Sequence, residues 1–511
     1  MLKNENRSIF GELKALLSNK LYLVVLILIT AASYGFTITH PSLGIDDFGT
    51  YHYLNLSPDS VRNMLQQGRL LHIVFYYIFE LATVNPFINN FISAILFALS
   101  AALFCALIKC VCPDKFSAPE LSIFSALYIS CSITSFKFIY DIDVVVTILS
   151  YAAIPLSIYY FLRFLDSKKL SAVIIGTLWL LCGISSYESF IMVYICEVLF
   201  LLIICHVWME MKTADVFRYG FFLALCLGAV LGIYYGAVNI IQKLTGNVPI
   251  TQHSLLTVDD KIGTVLSIIK ESFFKRELLF VNELLVFAVV FAVTMLVYTV
   301  FKKKPLCLLL FPALGLFVIL MPILHAYAHY RTYQTVPLFI ACAALLALDF
   351  FKNTKYLRRA ATALLCTVIL WQTVDINRWF YKDWVNYEKT VYAIHKIATD
   401  LHESYSVDTK PVCFTNRDYN SFIMTWDNGV QYEIGESPLI AAVSFLGDDT
   451  SDAVIALFEY QGYDFLIKPT EEQADRAYEI AKEMPSYPKQ GYIYEADDVI
   501  VVNIGKQDWW G

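Results

Sequence analysis

Residues 21–48 read LYLVVLILITAASYGFTITHPSLGIDDF, a run with no charged residue from Leu21 to Ile45 that ends on two adjacent carboxylates, Asp46 and Asp47. A helix of about 20 apolar residues is long enough to cross the roughly 30 Å hydrocarbon core of a bilayer. A polar, amphipathic segment from Leu2 to Lys20 precedes the run, and no small-residue cleavage site follows it. The run is therefore expected to stay in the chain as a first membrane span, a retained signal anchor.

Ten similar runs follow, near residues 87–110, 120–139, 143–164, 171–187, 189–208, 217–240, 279–301, 306–325, 333–351 and 360–375. With the first, they predict an α-helical polytopic membrane protein of about 11 transmembrane helices. Composition agrees: only 16% of residues are charged, against the ~25% of a soluble chain, and mean hydropathy is +0.57. The 37 Phe and 33 Tyr suit the belts where rings sit at the membrane–water boundary. Of the twelve Cys, only Cys413 lies beyond the apolar runs, so the tail cannot carry a disulfide framework.

Charge is distributed unevenly over the joints. The short basic joints (Lys109/Lys115, Arg163/Lys168/Lys169, Lys212/Arg218, Lys302–Lys304 and Lys352–Arg359), together with the N-terminal segment, hold 18 of the 27 Lys and Arg before residue 376. The positive-inside rule places that side in the cytoplasm. Residues 1–20 are then a cytoplasmic segment, 21–375 the membrane region with an outer loop at 40–86, and an odd number of spans leaves 376–511 outside. A multi-pass membrane protein is expected, with membrane lipid as neighbour and no nucleic-acid partner.

Helical spacing in 59–83 and within 241–278 predicts helices lying along the outer interface. After Trp371 the composition becomes that of a soluble domain. A helix is expected over 377–404, strands at Pro411–Thr415, near Asp464–Lys468 and near 491–504, and a helix at Glu471–Met484. These define a small C-terminal α/β domain without a Gly-rich phosphate loop.

Four outer joints carry the polar groups. Asp46-Asp47 closes the first span; adjacent carboxylates raise one another's pKa, which suits a general base, and equally suit a solvated helix cap. Lys137 and Tyr140-Asp141-Ile142-Asp143 occupy a turn too tight to leave the bilayer boundary. Ser185-Ser186-Tyr187-Glu188-Ser189 forms a third joint, and His325 to Tyr333, containing His329 and Arg331, a fourth. Arg331 has the fixed fork of donors that fits a phosphate, or it snorkels to the interface. Arg69 and His72 in the first loop add further cationic or titratable groups. One membrane level that gathers such residues implies a substrate that is part lipid and part polar.

At these residues the chain resembles the polytopic glucosyltransferases that modify bacterial O-antigens and related surface glycans, the Gtr type of the GT-C class. The resemblance rests on Asp46-Asp47, on Gln67-Gly68-Arg69 before an interfacial helix, on Tyr140-Asp141-Ile142-Asp143, on the Ser-Ser-Tyr-Glu-Ser turn and on Arg331, and it covers about 20–375. It implies a bacterial inner-membrane protein with a GT-C-like fold, glucose on polyprenyl phosphate as donor, and a hydroxyl of a surface polysaccharide or lipid-linked glycan as acceptor. It also implies Asp46 or Asp47 as general base, Asp141 and Asp143 on sugar hydroxyls or acceptor, and Arg331 with Arg69 on the departing phosphate. Lys137, Tyr187, Glu188, His72, His325 and His329 complete the expected substrate site. No cofactor is implied with certainty; some GT-C enzymes use a divalent metal at a loop acidic motif. Two rivals remain at this point, a surface-polysaccharide polymerase or ligase and a non-enzymatic flippase of lipid-linked sugars. The second would be expected to carry ionisable groups near the bilayer midplane, where Glu197 is the main candidate.

Overall fold

The computed structural model describes residues 7–44, 47, 62, 64–79, 85–139, 141–245, 255, 258–274, 281–301, 303–326, 332–415, 439 and 450–504; of 76, 78, 79, 139, 141–143, 281–283 and 450–453 it describes the backbone. An amphipathic α1 (Ile9–Ser18) leads into α2 (Lys20–Thr39), whose first turn is capped by Asn19 accepting from the Tyr22 amide at 3.1 Å. Then come α3 (Leu70–Phe79), α4 (Pro86–Val111) and α5 (Ala118–Ile129), which runs into a 3-10 segment, Ser132–Ile139. The bundle continues through α6 (Asp141–Ser167), α7 (Leu170–Ile184), α8 (Phe190–Trp208) and α9 (Thr213–Thr245). It is completed by α10 (Lys261–Phe274), α11 (Val281–Phe301), α12 (Cys307–Leu324), α13 (Val336–Phe350) and α14 (Lys355–Ser404).

Among the described residues, eight helices are long and apolar enough to cross a bilayer: α2, α4, α6, α8, α9, α11, α12 and α14. A ninth is the bent pair of α5 and the 3-10 segment, while α7 and α13 are apolar but only 15 residues each. The chain is thus a multi-pass membrane protein, and each of the eleven predicted runs falls on one of these helices. The central helices are α6 and α8, buried over 89% and 83% of their most apolar stretches, against 28% for α9 and α11. Exposed Phe217, Phe221 and Leu225 on α9, and Val289, Val293 and Leu296 on α11, present apolar surface where only lipid can solvate it. Close packing of α7 on α6 depends on missing side chains: a Cβ at Gly176 or Gly183 would come within 2.8 Å of Phe161 or Ile154.

The predicted straight span over 120–139 is broken. Axes of α5 and the 3-10 segment differ by 53°. The break falls at Ser130-Cys131-Ser132, where side-chain hydroxyls take over from the helical ladder: Ser130 Oγ donates to Gln372 Oε1 at 3.0 Å and Ser135 Oγ to the Ser132 carbonyl at 2.6 Å. Phe138 then stacks on Tyr34 of α2 at 4.2 Å, and Tyr34 donates to the Ile129 carbonyl at 2.9 Å. The break brings Lys137 back into the bundle.

The two ends of the bundle differ. One carries the basic joints and a cluster around Asp349, whose carboxylate meets Lys115 Nζ at 2.7 Å, Trp208 Nε1 at 2.6 Å and the Tyr298 hydroxyl at 2.8 Å. That carboxylate ties the α4–α5 joint, α8, α11 and α13 together. The other end carries α3, α10 and the C-terminal domain, and is called the domain end below.

The helix expected over 377–404 is not separate. α14 runs unbroken for 50 residues, about 75 Å at 1.5 Å per residue, crossing the expected boundary at 376 without a break. Beyond it, β1 (Val412–Thr415) pairs in parallel with β3 (Ile500–Asn503), which pairs antiparallel with β2 (Ile493–Glu495), giving the order β1-β3-β2. Helices α15 (Thr450–Tyr460) and α16 (Glu471–Ala481) cover it. Thr470 starts α16 with a reciprocal capping box to Gln473. The expected strand at 464–468 forms no ladder; the Ile467 carbonyl accepts a single bond from Val412 N at 3.2 Å. Ala393, Ile397 and Leu401 of α14 pack with Val412, Leu457 and Ile500 in the domain core, and Leu43 from the start of the first loop is part of that core.

Candidate active site

Gln67-Gly68-Arg69 forms a turn ahead of α3. Gly68 has φ +73°, and its carbonyl accepts from the Tyr234 hydroxyl of α9 at 3.1 Å. A Cβ at residue 68 would come within 2.2 Å of that hydroxyl, so only glycine fits both the backbone and the approach. Gln242 Nε2 donates to the Gln66 carbonyl at 3.0 Å and Arg62 to the Thr245 carbonyl at 2.6 Å. On the other flank, Leu71 N donates to the Ser185 carbonyl at 3.2 Å. The turn is thus held against both the end of α9 and the α7–α8 joint.

This docking places Arg69 Cζ 5.3 Å from the centroid of the Tyr187 ring. Lys137, buried on the 3-10 segment, reaches the same ring with Nζ at 4.6 Å from its centroid. Two cations on one aromatic ring gain from its quadrupole, each by ~0.5–2 kcal/mol. The ring is positioned by the Ser185–Ser189 joint, where Ser186 Oγ bonds Ser150 Oγ of α6 and donates to the Gly183 carbonyl at 3.0 Å. Beside Tyr187, Glu188 is half-buried and lies within electrostatic reach of Tyr235 of α9. Burial raises the Glu188 carboxyl above the usual value, and the Tyr235 hydroxyl pulls it partly back. His72 follows Arg69 by about one turn of α3 and is buried, whereas His325, at the end of α12, is half-buried.

Asp47 is held by different contacts. It is fully buried; its Oδ2 accepts from Gly44 N at 2.8 Å, while its own N–H donates to the Gly44 carbonyl at 3.2 Å. A side chain that reaches back to the amide three residues earlier is half of a capping box. Asp47 therefore makes a capping contact, buried where the alternative had it solvated. The chain just before it packs on α14: Ser42 donates to Asp383, and His40 meets the Trp384 ring edge-on at 5.1 Å. Tyr387, one turn further, lies within electrostatic reach of Asp47.

The family profile Glucosyl transferase GtrII matches residues 35–348, more than half of the chain. The chain belongs to the GtrII glucosyltransferase family. No curated protein and no solved structure matches it. The GtrII match begins in α2 and ends in α13, so it includes every candidate from Asp46 to Arg331 and excludes α14 and the C-terminal domain.

Within this GtrII region, Arg69, Lys137 and Tyr187 come together from three joints, with Glu188 alongside. Asp46, His329, Arg331 and the side chains of Asp141 and Asp143 lie outside the described residues; the backbone of the acidic pair forms the first turn of α6. Among the described residues, no group of three His, Cys, Asp or Glu is placed to hold a metal ion. Two residues beside the site and one buried amide escaped sequence reading. Tyr234 and Tyr235 lie inside an apolar run, and only their place beside the second outer loop could have pointed to them. Gln334 is buried just ahead of α13 with its side-chain amide unpartnered among the described residues, while its main-chain carbonyl accepts from the Tyr151 hydroxyl at 3.2 Å. A buried amide of that kind is a polar group that a hydroxylated ligand can satisfy.

Proposed function

We propose that this GtrII chain transfers glucose from polyprenyl phosphate to a hydroxyl of a surface polysaccharide or lipid-linked glycan, at an extracytoplasmic site on the domain end of the bundle. The observation that carries the proposal is the convergence of Arg69 and Lys137 on Tyr187. Two cations at one bundle end, bordered by lipid-facing helices, suit a phosphate carried on a lipid tail. The basic joints at the opposite end support a cytoplasmic placement there, with the N-terminus inside and the C-terminal domain outside. All eleven apolar segments are then spans, including the short α7 and α13.

In the reaction, an acceptor hydroxyl attacks the anomeric carbon, and the carbon–oxygen bond to the phosphate breaks. The electron pair leaves with the polyprenyl phosphate, and a carboxylate takes the hydroxyl proton. Asp46 or Asp47 is the base, worth about 10²–10⁴-fold. Arg69, Lys137 and Arg331 meet the charge that develops on the leaving phosphate, each well-placed donor contributing about 3–4 kcal/mol to the transition state. Asp141, Asp143, His72, Glu188, His325 and His329 are assigned to the sugar and acceptor hydroxyls. Glu197, the midplane carboxyl expected of a flippase, sits on an unbroken helix, α8, which does not favour transport.

The test is transfer from synthetic polyprenyl-phosphate glucose by purified protein in lipid nanodiscs, comparing the native chain with Asp46→Asn and Asp47→Asn. Loss of turnover in at least one variant is expected. Full turnover in both overturns the assignment of the base, and no turnover from this donor by the native chain overturns the donor.

A further inference from the structure

A cavity of about 560 Å³ opens on the C-terminal domain, well outside the region that the GtrII profile matches. One wall is a single face of α14, where Tyr392, Lys396, Asp400 and Ser404 follow one another at four-residue spacing. The facing wall is the chain leading into β2, with Tyr487, Gln490 and Tyr492. Its size is that of a typical small-molecule pocket.

The lining has two chemistries side by side. Tyr487 and Tyr492 are buried and meet edge to face, with centroids 5.0 Å apart at 80°, while Tyr392 stands 70% exposed at the mouth. The same lining holds a polar pair: Asp400 accepts from Lys396 Nζ at 2.6 Å and from the Tyr492 hydroxyl at 2.8 Å. Gln490 adds an exposed amide with both donors and acceptor. A pyranose has matching halves, since its C–H faces pack on aromatic rings and its hydroxyl rim exchanges hydrogen bonds with carboxylate, ammonium and amide. A lipid tail would strip water from the Asp400–Lys396 pair and offer it no hydrogen bond in return, and a phosphate would face the Asp400 charge.

We propose that this cavity binds a stretch of the acceptor glycan several sugars long, at a distance from the site of transfer. The assignment rests on the glycan-acceptor function proposed above. Tyr392 follows Tyr387, the residue within reach of Asp47, by five positions, and Ser404 follows it by seventeen. Those steps are about 8 Å and 25 Å along the helix. An oligosaccharide covers that range and a single sugar does not. Since α14 is continuous from the bundle into the cavity wall, it sets the separation between the two sites rigidly.

The test is saturation-transfer NMR on the full-length protein in nanodiscs. The probe is the oligosaccharide mixture released by mild acid from the envelope of the cells that naturally make the protein, with free glucose as control and no lipid-linked donor present. The native chain is expected to saturate oligosaccharide signals and not glucose. Tyr392→Ala and Gln490→Ala, both exposed positions, are expected to weaken binding at least tenfold, and Tyr392→Phe to restore it. In the transfer assay, Tyr392→Ala raises KM for the oligosaccharide and leaves kcat unchanged. Equal saturation by native protein and Tyr392→Ala overturns the site, as does a native chain that transfers glucose yet saturates no oligosaccharide. Binding without any transfer upholds the site and counts against the enzymatic function alone.

Discussion

The Lys137 ammonium lies 4.6 Å from the centroid of the Tyr187 ring, although the two residues belong to different joints 50 positions apart in the chain. The face of the ring orients the buried ammonium. Lys137→Met is expected to lower kcat by about 10²–10³-fold, the usual effect of losing one transition-state donor. Tyr187→Phe keeps the aromatic face and should stay within a few-fold of native, while Tyr187→Ala should lose most of the turnover. Steady-state transfer kinetics on the three variants check the order; a Phe variant as poor as Ala would argue for the hydroxyl in place of the ring.

Gly68 is the hinge of the turn that delivers Arg69. Gly68→Ala meets both a left-handed backbone and the Tyr234 hydroxyl, and should cost about 1–3 kcal/mol. The expected result is a lower melting temperature in detergent together with weaker donor binding, because Arg69 is displaced. Tyr234→Phe removes the bond without the clash, and Gly68→Ala in that background should recover part of the loss.

Asp46 and Asp47 separate by experiment. Asp47→Asn weakens a buried cap to Gly44 and should reduce stability by about 0.5–2 kcal/mol whatever its effect on rate. If Asp46 is the base, Asp46→Asn lowers turnover by about 10²–10⁴-fold with an unchanged melting curve. The reverse pattern, with rate lost at 47 and nothing at 46, assigns the base to Asp47.

Burial raises the Glu188 carboxyl, so the folded chain holds this proton at a pH where the unfolded chain has released it. Between the ordinary carboxylate value and the raised one, unfolding therefore releases a proton, and stability falls as pH rises. Glu188→Gln should flatten the melting temperature across that window and raise it on the alkaline side. A native melting curve insensitive to pH there, or a Gln variant with the same slope, contradicts the burial of this group.

At the opposite end, Asp349→Ala leaves Lys115 buried without its partner and strips Trp208 and Tyr298 of their acceptor. A loss of about 3–5 kcal/mol is expected, visible as a large drop in melting temperature. Lys115→Met together with Asp349→Leu should recover much of it, since a buried pair is often replaceable by apolar residues.

Much of the architecture was legible because its signal is local. Runs such as Leu21–Thr39 and Phe190–Trp208 are apolar over most of their length, and the helical period of 261–274 shows within about four turns. The break at Ser130-Cys131-Ser132 was not legible, because serine hydroxyls are tolerated in a straight helix as well as in a bent one. Nor was the continuity of α14, because the change from apolar to polar near Trp371 marks a change of solvent and not the end of a helix.

Sequence alone determined that the chain is an apolar helical bundle with polar groups gathered at its joints and a small domain at its tail. Burial preference and charge are properties of each residue and its near neighbours, so they can be read along one dimension. Tertiary structure decided that Arg69 and Lys137 share the Tyr187 ring, that Asp47 is buried against the Gly44 amide, and that Tyr392 and Tyr492 face one cavity. Those pairings depend on a 53° bend, on a glycine turn seated against α9 and on the rigid length of one helix. Such contacts join residues far apart in the chain, and only the packed fold fixes their distances.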